Sequence, residues 1–260
     1  MDGVNRTLYI PLYGKAYVSR NGLFLRDPDA EAIWAAEQFP LKGKSASRYL
    51  AYYMGIRAAV FDDWVRQKTA DMPGAAVIHI GCGLDSRARR VGTTRGMWYD
   101  VDFPEVICER RRYFTEADSY RMLPGDARQA DWLRQIPAGQ NAVVVMEGLS
   151  MYLKPEELQT LLARLRGHFG KIALMMDCYT PFAAKMSRLR NPINDVGVTQ
   201  VYGVAAPEEL QASGLRFVRE HDMTPGAMID RIPGIARRIF RKMYAGNFSK
   251  KLYRLYEFEA

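Results

Sequence analysis

The stretch "VIHIGCGLDSR", Val77 to Arg87, decides the fold. It opens as an apolar run short enough for a buried strand and closes as a glycine turn. Gly81 and Gly83 carry no Cβ, so the backbone can turn sharply there and approach a ligand closely. A strand that feeds such a turn is the usual entrance to a nucleotide-binding α/β sheet. Working outward, "AVIHIGC", "GMWYDVD", the short "YRML", "NAVVVMEG", "KIALMMDCY", "LRFVREHDM" and "LYRLYEFEA" read as strands. Helical patterns separate several of them. "FPEVICERRRYFTEA" follows the second, and "KPEELQTLLARLRGHF" follows the fourth, with Pro155 where a first-turn proline is tolerated. Strands alternating with helices imply right-handed crossovers and a mostly parallel sheet covered on both faces. The sequence therefore predicts a doubly wound α/β fold.

Ahead of Ala75 the chain has helical periodicity, as in "ASRYLAYYMGIRAAVFDDWVRQKTA", and no strand candidate. We read 1–74 as a helical lid or cap layer, 75–260 as a Rossmann-like core, and 1–260 as one domain. Residues 179–214 read as an irregular insertion ahead of the sixth strand. In such sheets ligands bind outside the carboxyl ends of the strands, so the helical layer and this insertion are the expected pocket walls.

At 260 residues, 48% hydrophobic and 25% charged, the chain is long enough for one large core. It has no apolar run of membrane-spanning length, and "MDGVNRTLYI" lacks the segments of a secretory signal, so a cytoplasmic location is expected. Cys82, Cys108 and Cys178 lie far apart and the three histidines are scattered, which suggests neither a disulfide framework nor a metal site. Lys and Arg outnumber Asp and Glu by 37 to 29, with the excess concentrated in "RIPGIARRIFRKMY" and "SKKLYRLY". That region reads either as a solvated helix face or as a docking surface for an anionic partner. Such a partner could be a carrier-bound or phosphorylated substrate, a membrane surface or nucleic acid. Nucleic acid is the weakest of these, for want of a helix-turn-helix, an RNP-like aromatic signature or a paired Cys/His module.

The turn also discriminates between cofactors. A dinucleotide turn would continue as G-x-G-x-x-G, whereas Ser86 stands at the third glycine position with Asp85 before it. A carboxylate there repels a pyrophosphate but not a sulfonium and an ammonium group, which points to S-adenosylmethionine. Asp100 and Asp102 end the second strand about twenty residues beyond the turn, where an acidic side chain can accept both ribose hydroxyls. Asp126 and the amide of Ala127 follow the third strand, placed for the adenine edge. Glu147 ends the fourth strand, facing the middle of the cofactor. Asp85 and Asp100 read equally as ligands or as caps and turn formers. Tyr9, Tyr13 and Tyr17 read equally as a packing stripe or as the lining of a lid. His79, alone on a buried strand, and the Cys82 thiol, with nothing nearby to activate it, read as packing groups.

Taken in order, "VIHIGCGLDSRARRV", "WYDVDFPEVICERRRYF", "DAR" and "MEGLSMYLKPEEL" resemble the motifs of the leucine carboxyl methyltransferase family, and within it the branch of polyketide O-methyltransferases. The likeness extends upstream to "TLYIPLYGKAY" and "GIRAAVFDDWV" and downstream through "YGVAAPEEL", covering most of the chain. It implies a class I methyltransferase fold: a seven-stranded, mostly parallel sheet with an antiparallel last strand and added N-terminal helices. It also implies S-adenosylmethionine as cofactor, S-adenosylhomocysteine as product, and O-methylation of a small-molecule acceptor, free or carrier-bound, in polyketide-type biosynthesis. By this resemblance Gly81, Cys82 and Gly83 form the cofactor turn, Asp102 is the ribose ligand, Asp126 and Ala127 make the adenine contact, and Glu147 is the acid after the fourth strand. Arg57 matches an arginine that meets the methionyl carboxylate, with Tyr53 at the alternative site a turn away.

Methyl transfer asks mainly for alignment of donor and acceptor, so no catalytic residue is assigned. An alcohol or phenol acceptor would want a general base, and His221 is the histidine placed near a strand end. A carboxylate acceptor is ionised at neutral pH and needs none. Two rival readings stand beside this one: a helper protein that binds the cofactor without methylating, and a nicotinamide-dependent oxidoreductase.

Overall fold

The computed structural model describes residues 7–187, 200–246 and 251–260. Strands β1 (Ala76–Ile80), β2 (Trp98–Asp102), β3 (Tyr120–Pro124), β4 (Ala142–Met146), β5 (Ile172–Tyr179), β6 (Arg216–Glu220) and β7 (Tyr253–Glu259) form one sheet. Its order is β3-β2-β1-β4-β5-β7-β6. Neighbours among β1 to β5 pair in parallel, and β7 runs antiparallel to both β5 and β6. This is the expected seven-stranded sheet with an antiparallel last strand. Strand order reverses between β1 and β4, which opens a crevice at their carboxyl ends. Every residue of β1 "AVIHI" and β4 "AVVVM" is buried, as strands covered on both faces must be.

Helices α1 (Tyr9–Arg20), α2 (Pro28–Glu37) and α3 (Arg48–Asp71) precede the sheet. α1 and α3 cross closely because Gly14 and Gly55 stand at the crossing. A Cβ on Gly14 would lie 2.5 Å from Met54, and one on Gly55 would lie 2.6 Å from Val18. Ile56, Phe61, Trp64 and Val65 of α3 cluster with Val77, Val143, Val145 and Met175 of the sheet. The opposite face is covered by α6 (Pro155–His168), after the short α4 (Arg87–Val91) and α5 (Pro104–Arg110). Pro155 occupies the first turn of α6 as expected, and Glu157 accepts the Lys154 N–H at 2.8 Å, a capping contact. Leu158, Leu161, Leu162 and Leu165 then cluster with Ile78, Val144 and Leu174.

The helix after β2 is shorter than its sequence pattern suggests, ending at Arg110. There the arginine turns inward to Asp100, and its guanidinium lies 4.2 Å over the Phe114 ring. Within the expected insertion, α7 (Pro181–Ser187) follows β5 and a 3-10 turn spans Pro207–Ser213, while 188–199 lie outside the described residues. α8 (Gly226–Ile229) and α9 (Gly234–Tyr244) link β6 to β7. Of the basic "SKKLYRLY", Ser249 and Lys250 lie outside the described residues, and Tyr253 onward is β7.

Candidate active site

The carboxyl ends of β1 to β4 open onto a cleft of two adjoining hollows, about 170 and 270 Å³. Gly81, Asp102, Phe103, Leu149 and Tyr152 line both. The turn after β1 forms the floor, tied to β2 by the Gly81 N–H, which donates to the Val101 carbonyl at 2.8 Å. Gly81 and Gly83 have φ of +72° and +51°, and a Cβ on Gly81 would come within 3.2 Å of Leu149. Only glycine takes that backbone without strain. Asp102 is fastened to the turn by main-chain donors: the Gly83 N–H reaches Oδ2 at 2.7 Å and the Phe103 N–H reaches Oδ1 at 2.8 Å. Each oxygen keeps lone-pair capacity for a further donor. Burial raises the Asp102 carboxyl to about 6, against the lowering effect of those two N–H groups and Arg110.

Asp100, two residues earlier, has another task. Its buried carboxylate accepts from Trp98 Nε1 at 2.9 Å, from the Tyr120 hydroxyl at 2.6 Å and from Arg110. Arg110 in turn donates to the Gly83 carbonyl at 3.0 Å. Asp100 is thus a prop beneath the turn, neither cap nor ligand. Burial would raise its carboxyl, but Arg110 and His79 outweigh that and bring it to about 2. His79 lies buried between Asp100 and Arg87, and burial lowers its pKa, in keeping with a packing role. The Cys82 thiol is buried in the cluster with Leu12, Ile33 and Ile107, and burial pushes it far above the usual thiol range. Asp126 and Ala127 line the outer hollow, with Asp126 held by its neighbour Arg128 at 2.6 Å.

The inner end is built from side chains brought together over long distances. Arg57 Nε donates to Glu147 Oε1 at 3.0 Å, and its Nη1 donates to Asp177 Oδ2 at 2.9 Å and to the Tyr253 hydroxyl at 3.1 Å. Its Nη2 makes no hydrogen bond to a described residue. The other Glu147 oxygen takes Arg87, whose Nε reaches Asp62 at 2.8 Å. Asp85 sits between Lys15 at 3.0 Å and Arg90 at 2.9 Å, and Arg90 continues to Asp27 at 2.7 Å and to Asp62. Asp27 also caps α2 by accepting the Ala30 N–H at 2.9 Å. Lys15, Arg57, Arg87 and Arg90 thereby join Asp27, Asp62, Asp85, Glu147 and Asp177 in one buried network. It ties the three N-terminal helices to the turn, α4, β5 and the end of β4. Burial opposes ionisation of Asp85, but Arg90, Lys15 and Arg87 hold it well below the usual carboxylate range. Arg87 and Arg57 do the same for Glu147, down to about 2 against burial. For Asp177 burial wins over Arg57 and its carboxyl is raised.

Arg57, Gly81, Cys82, Gly83, Asp102 and Glu147 therefore meet around the inner hollow, while Asp126 and Ala127 border the outer one. Asp85 also lines the cleft, but both of its oxygens are in ion pairs. The tyrosine stripe of α1 packs away from the cleft: Tyr9 stacks on Phe39 at 4.1 Å, Tyr13 lies 5.0 Å from Trp34, and Tyr17 lies 5.8 Å from Tyr52. It is the face with Pro11, Leu12 and Lys15 that lines the site. Tyr53 and His221 line a neighbouring hollow that shares Tyr253 with the inner one, and His221 Nε2 is 2.6 Å from Glu257. His221 itself does not line the cleft. Sequence reading missed Lys15, Asp177, Arg87 and Arg110. For Asp177 a signal existed, a lone acid within the apolar strand "IALMMDCY". Lys15, among apolar neighbours on an amphipathic helix, was a weaker one.

The profile of the leucine carboxyl methyltransferase family matches residues 13–166. The tetracenomycin polyketide synthesis O-methyltransferase of Streptomyces glaucescens is 31% identical over 227 residues, which covers 86% of this chain and 84% of that one. An S-adenosyl-L-methionine-dependent methyltransferase of Gibberella zeae is 35% identical over 136 residues, 48% of this chain and 45% of its own. Among solved structures, an S-adenosylmethionine-dependent methyltransferase from Mesorhizobium loti superposes with a TM-score of 0.53 at 12% identity, covering 76% of this chain and 98% of that one. Magnesium protoporphyrin IX methyltransferase of Synechocystis, with bound S-adenosylhomocysteine, gives 0.52 at 12% identity over 88% and 93%. At these identities the structural likeness is one of fold.

Proposed function

The chain belongs to the leucine carboxyl methyltransferase family, and from that premise we propose that it transfers a methyl group from S-adenosylmethionine to an oxygen of a small-molecule acceptor. The observation that carries this reading is the single cleft that has the Gly83–Asp102 hydrogen bond at one wall and the Arg57–Glu147 pair at the other. The residues fit the cofactor. Gly81 and Gly83 leave a floor that side chains would fill, and Asp102 can accept from two ribose hydroxyls. Asp126 and the Ala127 amide border the adenine side. Arg57 Nη2, with Lys15 beside the same hollow, suits a carboxylate.

When bound, the sulfonium supplies an activated methyl group on a neutral leaving thioether. The chain's own contribution is alignment and exclusion of water, effects that can supply about 7 to 11 kcal/mol. Leu8, Pro11 and Leu12 line the same hollow as the turn and give it apolar walls. A base is scarce among the lining residues: His79 is enclosed by Asp100 and Arg87, and burial raises the Tyr152 hydroxyl. That favours a carboxylate acceptor, which needs no deprotonation. The similarity to a polyketide O-methyltransferase supports an acceptor from polyketide-type biosynthesis.

Calorimetric titration with S-adenosylmethionine, followed by mass-spectrometric detection of S-adenosylhomocysteine on adding carboxylic acids and phenols, tests this. Micromolar cofactor binding with turnover on an acid is the expected result. Tight binding without turnover across the panel would favour the helper reading, and a copurified dinucleotide would favour the oxidoreductase.

A further inference from the structure

α9 "GIARRIFRKMY" has more apolar surface than its place in the fold requires. Its inner side is used: Ala236 and Phe240 are buried, with Phe240 lying 6.1 Å from Tyr52 of α3 and 5.2 Å from Tyr244. Beside that side, Ile235, Ile239 and Met243 are 71%, 37% and 53% exposed. Their spacing of four residues lines them into one outward stripe. Arg237, Arg238, Arg241 and Lys242 fill the remaining arc, and at 100° per residue Arg238 and Lys242 border the exposed stripe. α9 contains no acidic residue; Asp230, before the helix, pairs with Arg241 at 2.7 Å.

A merely solvated face would not carry three large apolar side chains in register. A second copy of the same face would bring cations against cations. The complementary surface is apolar beneath and anionic above, as in a leaflet with acidic headgroups. We propose that α9 docks this protein on an anionic lipid surface, with Ile235, Ile239 and Met243 among the acyl chains and Arg238 and Lys242 against the phosphates. The docking stands apart from the chemistry of the cleft, so the two can fail separately.

The test is co-sedimentation of the full chain with vesicles of phosphatidylcholine alone and of phosphatidylcholine mixed with phosphatidylglycerol. The wild-type chain pellets with the mixed vesicles, much less with the neutral ones, and less as salt rises. Arg238→Glu combined with Lys242→Glu lowers partitioning about tenfold or more. Ile235→Ser, Ile239→Ser and Met243→Ser together lower it comparably. Both variants keep the wild-type thermal midpoint and cofactor affinity, since none of these side chains is buried or lines the cleft. The proposal is overturned if the wild-type chain stays in the supernatant with mixed vesicles, or binds neutral ones equally well. It is also overturned if the triple serine variant binds like wild type, which would leave a purely electrostatic patch suited to an acidic protein. A concentration-dependent dimer lost in the triple variant would assign the stripe to a second copy instead.

Discussion

At one end of the cleft Asp102 is held by two main-chain N–H groups from its own strand-turn unit. At the other, Glu147 is held by guanidiniums from 60 and 90 positions away in the chain. The first arrangement is mostly backbone, so it follows once β1, β2 and the glycine turn are in place. The second is all side chain and largely buried, and each charge there is tolerable because its partners are present. One end is robust and local. The other is costly to disturb, and disturbing it reaches the helical layer as well as the cleft wall.

That contrast is broken most severely at Arg87. Arg87→Met leaves Glu147 and Asp62 each short of a partner, and urea unfolding should show a loss of about 3 to 5 kcal/mol. Asp102→Asn should cost less in the same measurement, about 1 to 3 kcal/mol, because its single amide oxygen keeps one of the two main-chain donors and the charge that burial disfavours is gone. Equal losses would erase the distinction between the two ends. Next in size, Arg57→Met should weaken S-adenosylmethionine binding by roughly ten- to a hundredfold while affecting adenosine far less. A matched loss for both ligands would mean damage to the helical layer rather than removal of a carboxylate partner. Asp102→Ala should weaken both ligands alike, by about tenfold or more, as expected for one charge-assisted contact.

Acid should separate the ends without mutation. The folded pKa of Asp102, about 6, lies above its ordinary value, so its contribution to stability falls as pH rises from about 4 to about 6. On the proposed role of Asp102 as ribose ligand, cofactor binding strengthens over that interval and should drop up to about tenfold per unit below pH 6. Glu147 is depressed to about 2, so its contribution is full above its ordinary value of 4.5 and is lost as pH falls toward 2. Titrations at pH 7 and 5 should therefore show affinity falling before the fold gives way, and Asp102→Asn should flatten the affinity profile. The smallest effect is expected at His221. His221→Ala removes one contact to Glu257 and should cost about 1 kcal/mol of stability with no change in methyl-transfer rate. A large loss of rate would return it to the candidate bases.

Much of this molecule was legible before any coordinates. The seven strands, the proline-started α6 and the glycine turn appear as short-range patterns, while the antiparallel last strand was implied by the family resemblance alone. Asp102, Asp126 and Glu147 were found by their places at strand ends, and Arg57 by family resemblance. The open alternatives were those that geometry had to close. Asp100 and Asp102 are chemically identical and two residues apart on one strand, yet one accepts from Trp98, Tyr120 and Arg110 beneath the turn and the other edges the cleft. The spacing of Tyr9, Tyr13 and Tyr17 gave their common face on α1 but not what that face meets. Lys15 and Asp177 escaped notice because each is defined by its partners, Asp85 and Arg57, which lie 70 and 120 positions away.

What the sequence by itself determined is the alternation of strands and helices, the turn that leaves room for a ligand, and the acids at the strand tips. These follow from side-chain periodicity and from the conformations open to glycine, which act over a few neighbouring residues. Which of those acids edges the cleft, and which is taken up by a buried cation, was decided only in the tertiary structure. Charges buried out of water select their partners by distance in space, and the order of residues along the chain does not encode that distance.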